Sequence, residues 1–427
     1  MNGLFSGFEP FVETRGNFCA KLSIFTHLLI AYFKNLSRFS RYMKTIAIVG
    51  GGSGGVSAAN HLAYKLKSEI KDGKVKLLLI EGSTRHYYQP GFLEIVFDLM
   101  TQQTTYKNEK RVLADGVTLI QEFATKIDLE NRSIATEKQK IPYDYLVIAT
   151  GASYDYGAVP GLKEGTQNFY SLDAAVELKN ALNHFKSGKI IVGISSMPYK
   201  CTPAPLEAVF LLNDYFAKRG IRDKVEIEYM YPMPMTFPDK GISDITLKMF
   251  QEKGIKSNLG FQLKSVDNEK HELVDMNGKR SSFDLAIIVP PHRGNKLIEN
   301  SGFGDKMGWV SVDPLTLNIK GHENAYAIGD STNLQVSKAG SVADAEAVVV
   351  SSRIIQSING EDPVAVYDGS GGALMITGMG SASMITSSYT QKPVFMPESY
   401  SFYWIKLIYN NLYWNMTAKP VLNGVVQ

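Results

Sequence analysis

Short apolar runs punctuated by glycine and proline set the rhythm of this chain. Thr45-Ile46-Ala47-Ile48-Val49 is β-branched and apolar without alternation, which predicts a parallel strand buried on both faces. A glycine cluster, Gly50 to Gly55, follows directly. After it come a helical stretch from Val56 to Lys67, a second apolar strand from Val75 to Ile80, and an acid, Glu81, at its end. Tyr143 to Gly151 and Ala325 to Asp330 read as further buried strands that close on Thr150-Gly151 and Gly329-Asp330. Lys189 to Gly193 reads as another, and a helix is expected over Leu206 to Arg219, with Pro205 suited to its first position. Strands alternating with helices predict an α/β protein of two doubly wound domains.

The glycine cluster carries the first chemistry. Gly50-Gly51-Gly52-Ser53-Gly54-Gly55 fits G-x-G-x-x-G between a strand and a helix. Its glycines let the backbone approach a pyrophosphate, the helix N-terminus supplies positive potential, and Glu81 is placed for a ribose hydroxyl. Strand, loop, helix, strand and acid in this order predict a Rossmann-like dinucleotide domain. NAD and FAD both fit at this point.

Composition narrows the class. With 427 residues, about two to three domains are expected. Lys and Arg number 45 against 42 Asp and Glu, so no basic surplus is available for a nucleic acid. Two cysteines exclude a disulfide framework, and seven histidines without ligand spacing give no metal site. Residues 1–42 hold five of the bases and two of the acids, leaving 40 of each in the remainder. They read as a targeting segment or as residues ahead of a true start at Met43. The apolar run from Ser23 to Phe33 is too short for a span. Tyr400 to Met416 is rich in aromatic residues but broken by Lys406, Asn410 and Asn411. That pattern suits a segment in the headgroup layer of a membrane, a helix on its own core, or a contact in a homo-oligomer.

A second nucleotide loop should follow Lys189–Gly193 in an NAD-linked enzyme, yet the chain reads Ile194-Ser195-Ser196-Met197-Pro198-Tyr199-Lys200-Cys201-Thr202-Pro203-Ala204-Pro205. Two loop glycines are missing, and prolines oppose the tight turn. Electrons are therefore not expected from NADH. Cys201 stands there instead, beside Lys200 and close to a helix start, which predicts a thiol of lowered pKa; an inert buried cysteine is the alternative. Glu207 on that helix is a candidate proton relay or a solvated helix residue. His86 and His292 lie at strand ends, with solvent or core roles favoured. The Met- and Pro-rich stretch from Met230 to Pro238 reads as a surface loop or as the lining of an apolar channel.

The Thr-Gly and Gly-Asp strand ends resemble those of FAD flavoproteins with two dinucleotide-binding domains, the glutathione-reductase-like fold, which implies FAD and a ribityl contact from Asp330. The likeness narrows to the sulfide:quinone oxidoreductases of mitochondrial type. It is carried by Arg85-His86-Tyr87-Tyr88-Gln89-Pro90, Tyr199-Lys200-Cys201 with Ala204-Pro205, Gly329-Asp330 through Thr332-Asn333-Leu334 to Ser337-Lys338, Tyr367-Asp368-Gly369, and Leu412-Tyr413-Trp414-Asn415-Met416. The resemblance implies sulfide or another small sulfur donor, a persulfide on a redox cysteine pair, a membrane quinone as acceptor, and C-terminal helices at the cytoplasmic or matrix face of a membrane. It places Cys201 on the flavin side and Lys338 by the carbonyl end of the ring. The second cysteine of the family falls at Ala373, so a two-thiol cycle within one chain is not expected. Cys19 sits in the extension. Ser331, too, stands where the mitochondrial pattern has cysteine. A type II NADH dehydrogenase-like quinone reductase and a relative without turnover are the competing readings. The expected domains are an FAD domain over 43–155 and 283–360, an inserted domain over 156–282, and a membrane-docking unit over 361–427.

Overall fold

The computed structural model describes residues 43–418; the extension 1–42, with Cys19, and residues 419–427 lie outside the described part. From the start the chain lays down β1 (Lys44–Val49), α1 (Ser53–Lys65), β2 (Val75–Ile80), β3 (Arg85–Tyr87), α2 (Gly91–Val96), β4 (Val117–Ile120) and β5 (Tyr145–Ile148). A second group follows: β6 (Gly188–Ile194), α3 (Ala204–Lys218), β7 (Val225–Tyr231), β8 (Lys256–Leu259) and β9 (Leu285–Val289). The chain then returns through β10 (Asn318–Ile319) and β11 (His322–Ala327) to α4 (Gly340–Ile358). It ends in β12 (Gly371–Gly378), β13 (Ser381–Ser387), β14 (Val394–Phe395) and α5 (Tyr400–Met416).

The first sheet has the order β10-β11-β5-β1-β2-β4 and is parallel from β11 to β4. Its central strands are apolar on both faces because both are covered. Ile46 and Ile48 pack with Val56 and Leu62 of α1 and Val350 and Ile354 of α4. Ala47 and Val49 pack with Leu78, Ile80 and Ile127 on the other side. The registers align Val49 with Ile148 and Ile148 with Ala327, so the residues after β1, β5 and β11 leave one edge of the sheet together. Ligands of such sheets bind along that carboxyl edge.

The second sheet, β8-β7-β6-β9, is also parallel. One correction arises here. β9 lies in the returning 283–360 segment assigned to the FAD domain, yet it pairs with β6, Ile190 against Leu285. Its apolar run carries no mark of which parallel sheet it joins. A second correction concerns α3, which starts at Ala204 and places Pro205 in its first turn, one position later than expected. The closing strands β12, β13 and β14 form an antiparallel sheet, with α3 packed against β12 and α5 against β13.

Candidate active site

The glycine loop is built for close approach. Gly50 has φ +104, and a Cβ there would lie 2.4 Å from the Ala149 carbonyl oxygen. On Gly55 it would fall 1.9 Å from the Gly50 oxygen, so this glycine lets α1 press against the turn. Gly52 faces open space and caps α1 with no side chain on its amides, an end suited to a pyrophosphate. The Glu81 carboxylate accepts from Gly51 N and Ser83 N, both at 2.7 Å, and is thereby aimed along the loop. Each of its oxygens retains a lone pair for a ribose hydroxyl. Thr150 Oγ1 is buried without a partner, and Gly151, at φ +67, has open space around it. Gly329, at φ +65, turns the chain toward half-buried Asp330 while its N–H donates to Glu346. An uncapped helix end, open glycines and an orphaned hydroxyl along one sheet edge fit a dinucleotide.

Ser53 and Gly54 have separate tasks. Gly54 lies under Ile328 and Ala343, to which a Cβ would come 3.2 and 3.3 Å, so it lets α1 meet α4 and the residue that follows β11. Ser53 Oγ lies 2.9 Å from Tyr413 Oη of α5. That hydroxyl also lies 2.6 Å from His86 Nε2, while His86 Nδ1 lies 2.8 Å from the Gly51 oxygen. A carbonyl only accepts, so Nδ1 carries a proton and Nε2 is the nitrogen that faces Tyr413. His86 is thus a buried core histidine that ties the C-terminal helix to the nucleotide loop. His292 is buried between the rings of Tyr154 and Tyr170. Burial and the charges of Lys200 and Lys338 push it down to about 3. Met230 belongs to the core of β7, and only the turn after Tyr231 is a surface loop.

Cys201 lies between β6 and α3 at φ +53, a left-handed conformation uncommon for a residue with a Cβ. Its N–H donates to the Lys338 oxygen at 2.8 Å, and its own oxygen accepts from Ala204 N at 2.9 Å. Lys200 and Lys338 bridge in parallel, so the two segments singled out in the sequence meet backbone to backbone. Their ammonium groups go elsewhere. Lys200 Nζ donates to Gln89 Oε1 at 2.8 Å and lies 4.8 Å from the centre of the Tyr154 ring. Lys338 Nζ donates to the Thr332 oxygen at 2.7 Å and stands 4.2 Å over the Trp309 ring.

The expectation of a lowered thiol pKa is therefore overturned. The thiol is pushed up to about 12, by burial first and then by Glu207, with Lys406 opposing. Glu207 is not solvated: its carboxylate accepts from Ile376 N at 2.8 Å and from Lys406 Nζ at 3.2 Å. β12 runs past this group. Gly372 O accepts from Ser341 Oγ at 2.7 Å and Leu374 O from Lys406 Nζ at 3.1 Å. Ala373, the residue between them, brings a methyl, and Cys201 is the single cysteine among the described residues.

Three residues escaped the sequence reading as chemistry: Gln89, Glu94 and Lys406. Glu94 is buried on α2, with Oε2 held by Asn410 Nδ2 and Oε1 3.7 Å from Lys406 Nζ. The available signal was one charge inside an apolar run, Glu94 within Gly91–Val96 and Lys406 within Tyr400–Met416. A lone charge there is either exposed or paired. α5 is built inside out. Lys406, Asn410 and Tyr413 point inward to Glu207, Glu94, Tyr88 and His86, while Tyr400, Trp404, Ile405, Ile408, Leu412 and Met416 are exposed.

Comparison with known proteins agrees with this geometry. Residues 44–350 match the family model described as pyridine nucleotide-disulphide oxidoreductase. The chain is 31% identical over 335 residues to the mitochondrial sulfide:quinone oxidoreductase of Dictyostelium discoideum, covering 76% of this chain and 73% of the relative. It is 27% identical to that of Mus musculus, over 89% of this chain and 87% of the relative. The solved sulfide:quinone oxidoreductase of Aquifex aeolicus superposes with a TM-score of 0.79 at 19% identity, covering 88% of this chain and 91% of the other. Motif order, strand topology and sequence identity converge: the chain is a member of the FAD-binding pyridine nucleotide-disulphide oxidoreductases, and among them of the sulfide:quinone oxidoreductase family.

Proposed function

We propose that the chain oxidises sulfide, or another small sulfur donor, and passes the electrons to a membrane quinone, with Cys201 as its one reactive sulfur. The observation that carries this reading is the seating of Cys201. Its backbone is bonded to Lys338, and its thiol lies near the only buried lysine–carboxylate group that links α3 to α5 among the described residues. FAD, held along Gly50, Gly52, Gly54, Gly55, Glu81, Thr150, Gly151, Gly329 and Asp330, supplies two-electron transfer between donor and acceptor.

The residues divide the remaining work. Cys201 holds sulfur, and its left-handed backbone fixes where the Sγ points. Glu207, paired with the Lys406 ammonium at 3.2 Å, is the group placed to take the thiol proton. Lys338, kept dry and lowered by burial, presents a cation beside Asp330. The connection from β6 to α3 spends nine residues, two of them prolines, before the helix begins. An amide-lined nucleotide turn of the kind found after β1 has no place in it, which argues against NADH as donor.

Membrane access rests on α5. No helix among the described residues is long and apolar enough to cross a bilayer, and the exposed apolar side chains of α5 instead suit a peripheral seat at a membrane face. Anaerobic mixing with sulfide, following the flavin band, tests the proposal. Bleaching in the wild type, and its loss in Cys201→Ser, is expected. A flavin that stays oxidised in both would sink sulfide as the donor; bleaching by NADH instead would identify a type II NADH dehydrogenase-like quinone reductase.

A further inference from the structure

Lys406 is shared. Its ammonium stands 3.2 Å from Glu207 Oε1 and 3.7 Å from Glu94 Oε1, and both carboxylates are almost wholly buried. Glu94 Oε1 has no hydrogen bond of its own, and the charges that act on it are the Lys406 ammonium and, across that ammonium, Glu207. Beyond Lys406 and Glu207, the groups facing Glu94 are neutral: Asn410 and Tyr403 from α5, and Tyr88 from the start of its own segment. Two carboxylates on one ammonium leave a surplus negative charge in a low-dielectric site next to Cys201. The mechanism above uses Glu207 and Lys406 and leaves Glu94 without a task.

We propose that Glu94 sets the reactivity of Cys201 through Lys406, as a positioning residue: while ionised it claims one side of the ammonium, and when it takes a proton it releases that charge to the thiol side. The inference rests on Cys201 being the reactive sulfur. Physically, neutral Glu94 leaves Glu207 and Lys406 as a balanced pair, so the thiolate no longer forms against a net negative neighbourhood. Burial holds Glu94 up to about 7, against Lys406 and Asn410 and with Glu207 adding to the rise, so the exchange falls within the working pH range. The proton moves between solvent and the Glu94 carboxylate, and no bond to sulfur is made or broken.

The test follows iodoacetamide alkylation of Cys201 by mass spectrometry in the FAD-loaded protein, from pH 5 to 10. Glu94→Gln is expected to speed alkylation at pH 8 about tenfold, the effect of one pKa unit on the thiol, and to change it little at pH 5.5. Adding Lys406→Met should remove the gain. An unchanged rate at pH 8, or a gain that survives Lys406→Met, overturns the proposal. Should the variant not fold, the wild-type profile decides: a flattening near pH 7 supports the proposal, and a plain one-proton curve overturns it. Alkylation needs no sulfide, so a shifted thiol in a protein whose flavin sulfide does not bleach would sink the donor and leave this inference standing.

Discussion

At the scale of single residues, the chemistry of this protein is a matter of partners far away in the chain. Cys201 was visible in the sequence because prolines and a lysine surround it. Its charge environment was not, since Lys406 and Glu94 reach it only through α5 and α2. The sequence neighbour Lys200 gives its ammonium to Gln89, and its charge does not hold the thiol down. Glu346 makes the same point. It lies fully buried on α4, one oxygen taking the Gly329 N–H and the other without a partner. Burial, with Asp330 adding, lifts it to about 8 against the Gly329 bond and Lys338. A carboxyl raised above its unfolded value of 4.5 lends full stability below that value, and the contribution fades as pH climbs through the folded value. From pH 5 to 8.5 the flavin-free protein should therefore lose on the order of 4 kcal/mol from this group. Melting curves of Glu346→Gln are expected to lack that alkaline decline; an identical slope in both proteins would contradict the assignment.

At the scale of elements, the parallel strands were legible nearly to the residue, because a strand covered on both faces leaves an unbroken apolar run. β2 falls where the sequence placed it, and β1 begins one residue earlier. Helix α1 starts three residues sooner than expected, since Ser53, Gly54 and Gly55 already form its first turn. α5 was the ambiguous element, read as lipid-facing, core or contact helix. Its inner face answers the core reading, and its exposed apolar face is what the membrane proposal rests on. The inner face can be tested apart from the outer. Tyr413→Phe removes the hydroxyl between His86 and Ser53 and leaves buried partners unsatisfied, a change worth about 1–3 kcal/mol. FAD should then be released about tenfold more readily in mild urea, followed by fluorescence of the free flavin, while the far-ultraviolet spectrum is unchanged. Retention equal to the wild type would show that α5 does not secure the nucleotide loop.

At the scale of the whole molecule, the site exists only where four remote stretches meet: the glycine loop, the Gln89–Glu94 segment, the Cys201 turn and α5. The fold class could be read from the sequence, but this convergence could not, and the division into domains was read less well, because β9 looks like any buried strand. The proposed membrane seat is likewise a property of the assembled surface. Ile405→Glu with Ile408→Glu, both on the exposed side of α5, is expected to abolish co-flotation with lipid vesicles while sulfide still bleaches the flavin. Flotation undiminished by both substitutions would place the contact elsewhere.

The inside-out construction of α5 has a practical meaning for dissecting turnover. The polar contacts to Glu207, Glu94 and His86 point inward with the buried rings of Tyr403 and Trp414, whereas Trp404, Ile405, Ile408, Leu412 and Met416 stay exposed. The outer stripe can therefore be rewritten in hydrophilic residues without disturbing the thiol or the flavin seat. Such a protein would run the reductive half-reaction in plain buffer yet be severed from an acceptor dissolved in lipid. It would accumulate in its reduced form, and the two halves of the catalytic cycle could be timed one by one.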